Sequence, residues 1–155
     1  MDLWRLVPEA RANAAFTGEG ARKYGGRWNP PGAPVVYLAE HLSLAALEIY
    51  VHLPRAALAK PYLAFRVSVP QDVPFEEMEA GRLPADWSQE PPGTATQALG
   101  GEWLDQGGRL LLAVPSVIVP QERNFLVNPG HPDWKAITIH PPEPFFFDGR
   151  MVGKE

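Results

Sequence analysis

Two glycines stand directly before an arginine in Tyr24-Gly25-Gly26-Arg27-Trp28-Asn29-Pro30-Pro31-Gly32. Glycine lets a backbone come close to a ligand. A guanidinium offers a planar fork of donors that matches phosphate oxygens. The loop therefore reads as an anion clamp, or as a turn whose Arg27 makes an ordinary salt bridge. Glu48 is the second unusual residue, the only charged side chain from Leu42 to Val51. On a helix, Leu44 and Val51 share its face. A carboxylate among apolar neighbours is costly to desolvate unless it is paired. Glu48 thus either meets a buried arginine or lines a cleft. Tyr37 lies mid-strand, where a tyrosine ring is normally core with its hydroxyl at the edge. Ser116 has no histidine or aspartate at a triad spacing and reads as a hydrogen-bonding residue, not a nucleophile. His41, His52, His131 and His140 form no i, i+4 pair, and no metal site is expected. Glu76, Glu77 and Glu79 read as a solvated acidic face.

Composition narrows the classes. The chain has 155 residues, 45% hydrophobic and 21% charged, a size and profile for one globular domain. Fourteen Lys and Arg against 18 Asp and Glu leave a net charge of -4. That argues against direct nucleic-acid binding, which needs a basic face. The absence of cysteine excludes disulfides, thiolate metal sites and thiol catalysis. Eighteen Pro beside 14 Gly argue against long helices, because proline removes an amide donor and clashes with the preceding turn. No run approaches the roughly 20 apolar residues of a membrane span. The first residues lack a signal-peptide pattern, so the expected location is cytoplasmic.

These side chains need elements to hold them. Leu3 to Val7 reads as a strand closed by Pro8, and residues 11 to 34 as a long loop. Val35 to Ala39 is a β-branched and aromatic strand. Ser43 is the expected cap of a helix running to about Leu53, ended by Pro54. Tyr62 to Val69 alternates as a strand with one wetter face. Residues 70 to 93 are expected to wander over the surface. A helix is expected from Thr94 to about Asp105, weakened by Gly100-Gly101. Strands are expected at 110–114, 117–119, 136–140 and 145–147. Together these predict a single α+β domain over residues 1–150, with bent mixed or antiparallel sheets and short helices, and a tail at 151–155.

The pattern as a whole resembles the RES domain, the toxin half of bacterial toxin–antitoxin pairs. The matching pieces are Trp4-Arg5, Gly26-Arg27-Trp28-Asn29, Val36-Tyr37-Leu38-Ala39 and Ala46-Leu47-Glu48. A last block runs from Pro115-Ser116-Val117-Ile118-Val119-Pro120 through Glu122, Asn124, Leu126 and Asn128-Pro129 to His131-Pro132. Residues 84 to 93 match no motif and read as a variable insertion.

The resemblance implies an ADP-ribosyltransferase-like fold and NAD as substrate, cleaved between nicotinamide and ribose. Hydrolysis, phosphorolysis and ADP-ribosyl transfer to a protein all occur in the family. By position, Arg27, Tyr37 and Glu48 match the Arg–Tyr–Glu set of the NAD pocket, with Arg5 and Ser116 as flanking motif residues. On this reading Glu48 stabilises the developing ribose cation. Arg27 and Arg5 hold phosphate, Tyr37 packs on the nicotinamide, and Ser116 orients Glu48 or a ribose hydroxyl. The implied partner is a helix-turn-helix (Xre-like) antitoxin, with a homodimer within the complex as a further expectation. The alternatives are a non-catalytic nucleotide-binding module and a purely structural protein in which Glu48 pairs with Arg66 or Arg27.

Overall fold

Strand β1 (Asp2–Pro8) alternates, so Leu3 and Val7 enter one face of a sheet and Leu6 the other. The computed structural model describes residues 1–153. Along the chain follow α1 (Glu19–Tyr24), β2 (Val36–Ala39), α2 (Leu42–His52), α3 (Arg55–Leu58) and β3 (Tyr62–Ser68). Then come β4 (Phe75–Glu77), α4 (Thr94–Gln106), β5 (Leu111–Pro115) and β6 (Arg123–Val127). The short β7 (Thr138–Ile139), β8 (Glu143–Phe145) and α5 (Gly149–Val152) complete the described fold.

The strands form one mixed sheet in the order β4-β5-β6-β2-β1-β3-β7, with β8 also on β3. Only β4 on β5 is parallel; the other pairs are antiparallel. This is the α+β class expected. One face carries Leu3, Val36, Leu38, Val67, Phe125 and Val127. The opposite face carries two separate clusters. Leu6, Ala39, Leu44 and Ala64 gather around α2, while Trp28, Trp103, Leu112 and Leu126 gather around α4.

Pairing between β1 and β2 is confined to one register point, Trp4 opposite Ala39. By contrast β1 pairs with β3 along its whole length, from Asp2 opposite Ser68 to Pro8 opposite Tyr62. The sheet therefore opens at its middle, between β1 and β2.

Several expectations are corrected. Residues 117–119 are a turn and not a strand. The Ser116 hydroxyl accepts from the Ile118 and Val119 N–H groups, both at 3.1 Å, and this local bonding overrides the β-branched preference of the sequence. The strand expected there lies instead at Arg123–Val127, central in the sheet, with Phe125, Leu126 and Val127 fully buried. Its continuous apolar run hides the two-residue period. The 11–34 loop contains α1, and the 70–93 segment contains β4. Ser43 does not cap α2; His41 holds that position without a side-chain bond. The tail expectation falls partly on α5, which packs Met151 and Val152 on the α2 cluster. Lys154 and Glu155 lie outside the described residues.

Candidate active site

A cleft of about 620 Å³ opens on the α2–α4 face. Its walls are mostly apolar, and Arg5, Arg27, Tyr37, Glu48 and Asn124 contribute to them. Four of the five residues singled out in the sequence thus line one cavity. The fifth, Ser116, is fully buried and reaches the cleft only through Glu48.

Glu48 projects from α2, a helix whose buried residues Leu44, Ala45 and Ala46 press it on the sheet. The carboxylate makes no ion pair among the described residues. Arg66 pairs with Asp2, and Arg27 with Glu90. Of the two fates open to Glu48 in the sequence, lining a cleft is the one realised. Its Oε1 accepts from the Ser116 hydroxyl at 3.0 Å and from Asn124 Nδ2 at 2.6 Å.

Tyr37 stands on β2 with its ring in the cleft wall and its hydroxyl turned to the Arg27 loop. The hydroxyl donates to Asn29 Oδ1 at 2.6 Å and accepts from the Trp28 N–H at 3.3 Å. Burial pushes the phenol well above its ordinary pKa, so it stays protonated. The loop itself is cross-tied. Gly26 N–H donates to the Asn29 carbonyl, and Gln97 from α4 donates to the Gly26 carbonyl. A Cβ at Gly26 would lie 2.9 Å from both the Tyr37 hydroxyl and Asn29 Oδ1, which accounts for glycine there. Gly100, expected to weaken α4, lies within an unbroken helix and is there for a reason: any Cβ would overlap the Trp28 carbonyl. The helix trades intrinsic propensity for close contact with the Arg27 loop.

The two arginines differ. Arg27 is held by the strand-poor segment after β4, through three of its five N–H donors. Its Nη1 donates to the Trp87 and Gln89 carbonyls at 3.0 and 2.7 Å, and its Nη2 to Glu90 at 2.8 Å. Trp87 also packs on Trp28, with ring centroids 6.4 Å apart. Residues 84–93 thus form a strap across one side of the cleft, where Glu90 and Pro92 line it. Arg5 lies where β1 and β2 part. Its Nη1 takes the Tyr37 carbonyl at 2.8 Å, while its Nε is buried without a partner. Burial pushes its pKa down to about 10. Among the described residues Arg5 makes no ion pair, and a guanidinium so placed in a largely apolar cleft is an attractor for an anion.

Asn29 and Asn124 stand in two of the sequence motifs, and the sequence alone assigns neither a role. Both are polar residues next to aromatic or apolar ones, Trp28 and Phe125. That is the available signal, but only the fold shows what each bonds. Among the described residues, no group of three or more His, Asp or Glu could hold a metal ion.

The RES domain family model matches residues 2–148. The chain belongs to the RES domain family. The Prs ADP-ribosylating toxin of Sphingobium sp. (strain YBL2) is 39% identical, over 98% of this chain and 97% of its own. Toxin Res of Photorhabdus laumondii is 36% identical, again over 98% and 97%. MbcT of Mycobacterium tuberculosis, named an NAD(+) phosphorylase, is 50% identical over 36 residues, 23% of this chain and 19% of its own. The solved MbcT–MbcA toxin–antitoxin complex contains a chain of the same fold, with a TM-score of 0.75 at 22% identity. The match covers 94% of this RES domain and 84% of that chain.

Proposed function

We propose that this RES domain is a toxin that cleaves the nicotinamide–ribose bond of NAD. The observation that carries this reading is Glu48, a carboxylate with no ion pair among the described residues, held by Ser116 and Asn124 in a largely apolar cleft that also contains two guanidinium groups. A binder of an anionic dinucleotide gains little from such a carboxylate. An enzyme that builds positive charge on a ribose gains a great deal.

The nicotinamide of NAD is cationic and leaves neutral, so no general acid is required. The bond from C1′ to the ring nitrogen breaks, and both electrons stay with nicotinamide. The ribose becomes oxocarbenium-like, and Glu48 faces that charge. Its field acts at low dielectric, where charge interactions strengthen. The acceptor then bonds C1′; a water acceptor loses its proton. Arg5 offers the bare cation for a phosphate of NAD. Arg27 becomes available when a phosphate oxygen replaces Glu90. The Tyr37 ring supplies a flat apolar wall for nicotinamide.

The acceptor divides the reading in two. Water or phosphate as acceptor depletes NAD, in line with the name of MbcT. A protein acceptor is favoured by the relative named an ADP-ribosylating toxin, which aligns over nearly its entire length. The solved MbcT–MbcA toxin–antitoxin complex supports an antitoxin partner; that the antitoxin is Xre-like and that the toxin acts in the cytoplasm belong to the same proposal. Among the described residues, no helix is long and apolar enough to cross a membrane.

The test is incubation of the purified chain with NAD, with nicotinamide followed by chromatography. Nicotinamide release that disappears in Glu48→Gln supports the reading. Wild-type protein that releases none overturns it. Adenine-labelled NAD separates the acceptors, because label retained on protein after denaturation identifies protein transfer.

A further inference from the structure

The Ser116 hydroxyl has its lone pairs engaged by the Ile118 and Val119 N–H groups. Its single hydrogen is therefore left for Glu48 Oε1. One donor does not fix a carboxylate, because the last torsion of glutamate is broad. A second donor from another element does. Asn124 supplies it at 2.6 Å, onto the same oxygen. Its amide must present nitrogen, since its carbonyl oxygen would repel the carboxylate.

The backbone under Asn124 is rigid. It sits on the central strand β6, paired with Ala39 of β2 on one side and Val114 of β5 on the other. Unlike the buried Ser116, Asn124 also lines the cleft. Among the described residues, no donor reaches Glu48 Oε2.

We propose that Asn124 is a positioning residue for the reaction: with Ser116 it pins Glu48 Oε1 and leaves Oε2 as the oxygen presented to the ribose. This rests on the reading of Glu48 as the carboxylate that faces the NAD ribose. Asn124 acts through Glu48, so its loss belongs in kcat and not in KM.

The experiment compares Asn124→Ala, Asn124→Ser and Ser116→Ala with the wild-type chain. Each single variant is expected to lower kcat about tenfold or more with KM changed less than about threefold. The double variant is expected to fall short of the product of the two losses, because both donors serve one oxygen. A kcat within about twofold of wild type in a folded Asn124 variant overturns the proposal, as does a loss confined to KM. A second readout needs no turnover. In protein labelled with ¹³C at the glutamate carboxyl, the Glu48 signal is assigned by its absence in Glu48→Gln. It should shift in the Asn124 variants; an unmoved signal overturns the positioning role. If the wild type releases no nicotinamide while this signal shifts, the NAD reading fails and the positioning stands.

Discussion

The carboxylate of Glu90 lies 2.8 Å from Nη2 of Arg27, the guanidinium that the proposed function assigns to a phosphate of NAD. The Arg27 side chain is only 14% exposed, whereas that of Glu90 is 63% exposed, so the glutamate is the solvent-facing member of the pair. With its carboxylate in solvent the pair is screened and worth on the order of 1 kcal/mol or less. Glu90→Gln keeps the shape and removes the competing charge. NAD should then bind up to about fivefold more tightly by calorimetry, a gain that matches the small value of such a pair. Unchanged or weaker binding would show that Glu90 does not compete.

Glu48→Gln should lower nicotinamide release about 100-fold or more, the scale of losing one preorganised electrostatic group. The dissociation constant for NAD should change much less. Parallel turnover and binding measurements separate the two.

Tyr37→Phe removes a hydroxyl and keeps the ring. It leaves Asn29 Oδ1, on a fully buried residue, without its 2.6 Å donor. That costs about 1–3 kcal/mol, or a Tm lower by roughly 3–10 °C. Turnover at a temperature where the variant is folded should stay within about fivefold, since the ring still forms the wall. A loss near that of Glu48→Gln would assign the hydroxyl to the chemistry.

Gly100→Ala should cost about 1–3 kcal/mol or more, because the methyl overlaps the Trp28 carbonyl. The Arg27 loop must move for the helix to remain. Thermal unfolding should register the loss, and NAD affinity should fall with it. Gly20→Ala, in α1 with nothing within 4 Å, is the control: NAD affinity should not change, and stability should stay or rise by up to about 1 kcal/mol.

Glu40 tests the electrostatics away from the cleft. Burial raises its pKa, but hydrogen bonds from Arg123 outweigh that and hold it below the ordinary value of 4.5. A carboxylate depressed in the fold stabilises above the unfolded pKa, and that stabilisation is lost as pH falls through the folded one. Glu40→Gln should therefore be less stable than wild type by about 1 kcal/mol at pH 7, with the gap closing as pH drops below 4.5. Denaturant melts across that range measure it.

Much of the cleft was legible because its residues are chemically out of place. A lone glutamate on an apolar helix and an arginine between glycines and a tryptophan each need an explanation that local structure does not supply. Strand β3 was legible for the opposite reason, since one wet face leaves a clean two-residue period. β6 was not, because a strand buried on both faces shows no alternation. The Ser116 turn was misread because valine and isoleucine favour strands, and only the serine's bonds to Ile118 and Val119 reverse that. The Pro-rich 84–93 segment carried no motif, yet it supplies all three partners of Arg27.

The sequence by itself determined the class of the fold, the family and the residue types available for chemistry, because these follow from composition, period and motif order. Tertiary structure decided which charges remain free. Arg5 and Arg27 are both expected from the sequence to hold phosphate; one ends in the opening between β1 and β2 with a backbone carbonyl as its partner, and the other ends under Glu90. Glu48 and Asn124 are 76 residues apart and meet at 2.6 Å. Such pairings depend on how strands order in the sheet, and no local preference encodes that order.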